Sequence, residues 1–278
     1  MLSIPRACRS TACAPSRINA ASRNTHDMID TSRIARPPTR SFASFEQERQ
    51  YRKQALAATF RIFGQLGYEQ GVMGHVSVRD PEFPEQLWMN PFAVPFKRIK
   101  ASDLLRISFD GELLEGNGYI HTGGINTHTI ILKARPDLQS VAHVHSTFGT
   151  AWSALDRLLD PISAESAVLY QRHSVYDTYR DGERENLANA IGDSRIIIFK
   201  GHGLFAVGET LDEAAYLFLL AEKACHVQLM AEASGSKVHK IDHDVAVKIA
   251  AANGADKSTL NFRPYFDAIV AEQPDLLD

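Results

Sequence analysis

The chain has 278 residues, 44% hydrophobic and 23% charged, with a formal net charge of −3. That length permits one large domain or two small ones, in the composition range of ordinary globular proteins. The weak negative charge, with no basic stripe interleaved with aromatics, argues against a nucleic-acid partner. No apolar run approaches the roughly 20 residues that span a bilayer, which argues against a membrane partner. The only cysteines are Cys8, Cys13 and Cys225, too few for a disulfide framework and consistent with a reducing compartment.

Residues 1–44 differ from the rest. They hold seven arginines, many Ser, Ala and Thr, and only Asp27 and Asp30 as acids. Such Arg-rich, acid-poor leaders read as mitochondrial transit peptides, and Arg40-Ser41-Phe42-Ala43-Ser44 suits a processing site. A tail without an address is the alternative, so the expected location is the mitochondrion or the cytoplasm.

A helix is expected over 45–67, with Leu56, Phe60, Ile62, Phe63 and Leu66 as its stripe and Gly67 ending it. Short strands follow at 75–79, 87–90 and 104–108, separated by Gly, Pro and Asp-Gly turns. Residues 125–134 read as a helix stopped by Arg135-Pro136-Asp137. Next come a strand at 140–145, a helix over 147–155 and a loop through Tyr179. A helix at 184–191, strands at 195–199 and 204–207, and a long helix at 211–233 complete the body. Terminal helices are expected at 243–252 and 260–271. No repeat of 20–50 residues occurs, and the whole reads as one sheet flanked by helices.

The chemistry concentrates in Val141-Ala142-His143-Val144-His145-Ser146 and Lys200-Gly201-His202-Gly203. Residues i and i+2 of a strand share a face, so His143 and His145 can aim at one point. His202 sits in a glycine-flanked turn after the apolar run Ile196-Ile197-Ile198-Phe199. Three neutral imidazoles with open positions left over describe a catalytic rather than a structural metal site. Ordinary half-buried strand histidines are the alternative reading of His143 and His145.

Gly74-His75-Val76-Ser77-Val78-Arg79, Ala134-Arg135-Pro136-Asp137, His143-Val144-His145-Ser146 and Gly201-His202-Gly203 occur in that order. This set resembles the class II aldolase/adducin superfamily over about residues 50–235. The resemblance implies an α/β fold: a single-domain α/β/α sandwich on a largely antiparallel sheet. It also implies a homotetramer with sites at subunit interfaces, and one divalent metal ion per chain on His143, His145 and His202. The expected organisation is a leader over 1–44, the aldolase-like domain over 45–240, and a helical segment over 241–278 that crosses to a neighbouring subunit. Zinc or iron(II) is the expected ion, with manganese, cobalt and nickel as alternatives, since three-histidine sites accept each of them.

Departures from the pattern bear on function. Sugar-phosphate aldolases of the superfamily carry a general-base glutamate at the position matching Gly124, and glycine cannot move a proton. At the matching phosphate-binding positions this chain offers His75, Phe92-Ala93 and Thr122-Gly123. With Gly124, these make His75, Phe92, Thr122 and Gly123 the candidate substrate contacts. A phosphate dianion requires convergent donors, so a small unphosphorylated carbonyl or hydroxy acid is expected. Three candidates remain for proton chemistry: His128 on the predicted helix as an acid/base or a support for a ligand, His121 in the Gly-rich loop as a replacement for the lost glutamate, and Glu165 in Ser163-Ala164-Glu165-Ser166 as a group that orients a ligand imidazole or a substitute base. Each has a plain structural alternative. Arg98 and Lys100 read as a carboxylate-binding pair or a solvated basic turn, and Tyr265 as a packing residue or a donor.

The runs Gly74–Pro81, His145–Gly149 and Gln228–Ala233 also resemble the aminocoumarin-pathway non-haem iron oxygenases, a branch that oxidatively decarboxylates aromatic 2-oxo acids. Three functions therefore compete. The first is a metal-dependent carbon–carbon cleaving enzyme, the second an iron(II) oxygenase of this type. The third is a non-catalytic, adducin-like interaction protein, against which the presence of all three histidines argues.

Overall fold

The computed structural model describes residues 40–177 and 184–278, so the leader lies outside the described residues apart from its last five. Among these residues, eight strands form one sheet: β1 His75–Arg79, β2 Gln86–Met89, β3 Leu105–Ser108, β4 Leu113–Glu115, β5 Ser140–Val144, β6 His173–Tyr176, β7 Ile196–Phe199 and β8 Gly203–Gly208. Their order is β4-β3-β2-β1-β5-β8-β7-β6. Every neighbouring pair is antiparallel except β6 and β7. Among the described residues, eight α-helices accompany them: α1 Phe45–Gln65, α2 Thr122–Ala134, α3 Thr147–Ser153, α4 Ala164–Val168, α5 Arg184–Ile191, α6 Leu211–Ala233, α7 His243–Ala251 and α8 Ala255–Glu272.

The two-residue period of the strands divides the interior into two cores. Val76, Val78, Trp88, Ala142, Val144, Ile196, Ile198, Leu204 and Ala206 face one side, where residues of α1, α3, α6 and α8 cover them. Leu87, Met89, Leu105, Ile107, Val141, Ile197, Phe205 and Val207 face the other, beneath α2 and α5. Each fully buried large apolar side chain, Trp88, Phe60 and Phe218 among them, contributes roughly 1.5–3 kcal/mol. The same alternation sends His75, Ser77 and His143 to the α2 side. Arg79 fastens α2 there, its guanidinium donating to the carbonyls of Leu132 (2.9 Å) and Leu138 (3.3 Å).

Several expectations shift at their edges. The helix expected from Ile125 starts at Thr122, because His121 Nδ1 accepts from the Gly124 amide (3.0 Å) and caps it. β4 emerges from a segment with no expected element, and α4 from the loop expected through Tyr179. β6 emerges from the loop expected through Tyr179; its parallel pairing to β7 is a long-range contact with no local signature. The segment over 241–278 contributes Phe262, Ile269 and Leu276 to the first core of its own chain, and Tyr265 is partly exposed.

Two buried carboxylates hold the frame. Glu222 of α6 accepts from Ser146 Oγ (2.6 Å) and from the amides of Phe148 (2.9 Å) and Gly149 (2.6 Å), so it caps α3 directly after the His-x-His strand. Asp80 accepts from the Arg49 guanidinium (2.8 Å), Trp88 Nε1 (2.9 Å) and two amides. Burial pushes the Asp80 pKa up, but these donors outweigh it and bring it to about 2.

Glu222→Ala strands three donors and should cost about 2–4 kcal/mol, read as a lower urea midpoint at unchanged slope. Asp80 is depressed in the folded state, so its contribution is complete above the unfolded carboxylate pKa. It is lost as pH falls through about 2. Unfolding free energy should therefore drop between roughly pH 4 and pH 2, and Asp80→Asn should flatten that slope.

Candidate metal centre

β5 runs between β1 and β8 at mid-sheet, with His143 opposite His75 on one side and Phe205 on the other. The His143 ring stacks on Phe205, centroids 4.0 Å apart and planes 6° off parallel. Its Nδ1 lies 2.8 Å from the Leu204 carbonyl, so Nδ1 carries the proton and donates it. That tautomer leaves a lone pair on Nε2. Nε2 is sealed from solvent and has no hydrogen-bond partner. A buried polar atom of this kind requires an explanation, because stranding it costs about 1–3 kcal/mol.

His145 lies one residue beyond β5, and His202 ends the three-residue connection between β7 and β8. Gly201 (φ +65°) and Gly203 (φ +143°) make that turn possible, in conformations that side chains disfavour. The Gly201 amide donates to the Ser153 carbonyl (3.0 Å), and Lys200 pairs with Asp177 (2.9 Å), fixing the turn from both sides. One ligand atom from each of His143, His145 and His202 falls within 4.8 Å of the others. Burial lowers the pKa of all three, His143 furthest; the next cause is His75 for His143 and His202 for His145. The three are therefore neutral near pH 7, the form that binds a metal. A hard-to-satisfy nitrogen beside two more imidazole donors fits a divalent ion.

Beside this triad stands a second group. His75 Nδ1 is 2.7 Å from His128 Nε2, and His128 Nδ1 is 2.6 Å from Ser77 Oγ, all of it buried. The His75 ring lies 5.0 Å from that of His143 and 4.8 Å from that of His121. It also occupies the room beside Gly124, where a Cβ would fall 2.8 Å from Cγ and Cδ2 of the ring. Phe92 sits 5.3 Å from His121, and Thr122 and Gly123 are exposed at the start of α2.

The other candidates separate. His128 is fully buried with both nitrogens engaged, so it acts only through His75. His121 caps α2 with Nδ1. Glu165 lies in the first turn of α4, whose Val168 packs against the opposite core, and its charge is felt by Tyr216 of α6. Lys100 pairs with Asp278 (3.3 Å). Sequence reasoning missed Ser77, Glu222 and the Leu204 carbonyl. Only Ser77 had a local signal, its i+2 spacing from His75 on β1.

Residues 54–229 match the family model of the class II aldolase and adducin N-terminal domain. The chain belongs to that family. It is 37% identical to the decarboxylase NovR of Streptomyces niveus over 250 residues, covering 86% of this chain and 91% of that protein. It is 36% identical to the 4-hydroxy-3-prenylphenylpyruvate oxygenase/4-hydroxy-3-prenylbenzoate synthase of Streptomyces roseochromogenus subsp. oscitans, covering 86% and 88%. Among solved structures, an L-fuculose 1-phosphate aldolase from Glaciozyma antarctica PI12 superposes with TM-score 0.81 at 34% identity, covering 87% of this chain and 96% of that one.

Gly203→Ala places a side chain at φ +143° with only ordinary contacts nearby. It should cost about 1–2 kcal/mol through backbone strain alone, read as a lowered Tm.

Proposed function

We propose that this chain is a metal-dependent enzyme that cleaves a carbon–carbon bond in a small unphosphorylated carbonyl or hydroxy acid. The observation that carries this is the sealed, unpartnered Nε2 of His143, beside two further neutral imidazoles. His143, His145 and His202 would hold one divalent ion. Such an ion polarises a carbonyl or carboxylate oxygen as a Lewis acid. Around it, the Phe205 stack and the Leu204 carbonyl fix the His143 ring, and Phe92 offers an apolar wall rather than donors for a phosphate.

The likeness to a sugar-phosphate aldolase does not by itself choose the substrate, because one fold hosts several chemistries. Position 124 does bear on it: the His75 ring leaves no room there for a carboxylate base. A second reading, an iron(II) oxygenase that oxidatively decarboxylates an aromatic 2-oxo or 2-hydroxy acid, is favoured by the decarboxylase and oxygenase names of the two Streptomyces relatives. A non-catalytic scaffold would have no use for three converging lone pairs. The same proposal takes a homotetramer as the working unit, located in the mitochondrion or the cytoplasm.

Anaerobic purification followed by elemental analysis tests both readings. One zinc, manganese or cobalt per chain, with turnover independent of oxygen, is expected for the lyase. One iron per chain, with oxygen consumed on 4-hydroxyphenylpyruvate, would select the oxygenase. Wild-type protein that holds no metal even after reconstitution would sink both.

A further inference from the structure

We propose that His75 is the catalytic acid–base of this site, exchanging a proton with substrate through Nε2, and that His128 and Ser77 are positioning residues that set its ring and tautomer. The proposal rests on the metal-dependent reading above and assigns the residue that handles protons beside the ion.

The register sets His75 opposite His143 on the same face of the sheet, with ring centroids 5.0 Å apart. His75 therefore stands at the edge of the cluster that would hold the ion. Glu165 belongs to α4, whose neighbouring Val168 and Leu169 join the other core, and among the described residues no carboxylate hydrogen-bonds to His75 or His128. His75 is the imidazole that stands beside the cluster without being one of its three expected ligands.

Nδ1 of His75 is taken up by His128 at 2.7 Å, and among the described residues Nε2 has no hydrogen-bond partner. His128 is in turn taken up by Ser77 Oγ at 2.6 Å, and the Ser140 hydroxyl donates to the Ser77 carbonyl at 2.7 Å. If His128 Nδ1–H donates to Ser77 Oγ, then His128 Nε2 accepts from His75 Nδ1–H. His75 Nε2 is then left as a free lone pair. Gly124 completes the arrangement, since any side chain there would strike the ring at 2.8 Å while His128 holds it from behind.

The proton balance closes on one residue. In the cleavage direction the substrate hydroxyl O–H breaks and an N–H bond forms at His75 Nε2. The carbon–carbon bond breaks, its electron pair staying on the fragment that carries the carbonyl, as an enolate. The oxygen that lost its proton becomes the carbonyl of the other fragment. The imidazolium of His75, its charge shared with His128 through Nδ1–H, then returns the proton to the enolate carbon. No oxidant or second base enters.

The last step run backwards provides the test. Full-length, zinc-loaded protein in D2O should exchange the methyl protons of pyruvate, followed by 1H NMR. His75→Asn should lower that exchange about 100-fold or more, while zinc stoichiometry and pyruvate affinity stay within about threefold of wild type. Ser77→Ala should lower the rate with KM retained, and Ser77→Thr should restore it. In the same chain without metal, imidazole 15N shifts should show His75 protonated at Nδ1 and bare at Nε2. The opposite tautomer would overturn the proposal. Exchange unchanged in a His75→Asn protein that keeps its zinc, or absent from zinc-loaded wild type, would also overturn it while leaving the metal reading intact. Failure to bind zinc at all would instead sink the metal reading, and the proposal with it.

Discussion

The register of β5 between β1 and β8 is the constraint from which the site follows. A slip of one residue would turn His143 into the other core and bring Ala142 or Val144 to the α2 side. In the register observed, one strand position meets His75 across β1 and Phe205 across β8, with the Leu204 carbonyl beside it. A ring stack and a backbone acceptor then leave the imidazole one orientation and one tautomer. His145 follows two residues later, and the β7–β8 turn delivers His202 because both strands belong to the same ladder.

The imidazoles of the site are buried or half-buried and neutral. His75, His128, His143 and His145 have lowered pKa values in which desolvation is the first cause and neighbouring imidazoles add to it. A carboxylate in this pocket would draw protons onto the rings, and the lone pairs would be lost to metal and substrate alike. The carboxylates that matter are placed elsewhere. Glu222 caps α3 behind the ligand strand, and Asp80 ties α1 to the start of the β1–β2 connection. The frame is built from charge-assisted hydrogen bonds and the site from uncharged ones.

How much of this the sequence reveals depends on range. His143 and His145 are legible because a strand's period is local, and His202 because glycines mark its turn. α6 and β7 are legible from composition alone. The pairing of His75 with His128 is not, since it depends on where Arg79 fastens α2 against β1. The exchange of space between His75 and Gly124 is hidden in the same way: read singly, one residue looks like a substrate contact and the other like a loss. Glu165, a carboxylate in a plausible loop, falls on α4, whose neighbouring Val168 and Leu169 join the core opposite His143. β6 escaped notice because its pairing with β7 joins His173 to Ile196, a long-range contact.

The central claim is that three imidazoles converge on one divalent ion. Anomalous diffraction at the zinc edge from a zinc-soaked crystal tests it most directly. The account predicts one strong peak per chain, bonded to His143 Nε2 and to a ring nitrogen each of His145 and His202. Zinc held elsewhere, with His143 Nε2 facing no metal, would contradict it.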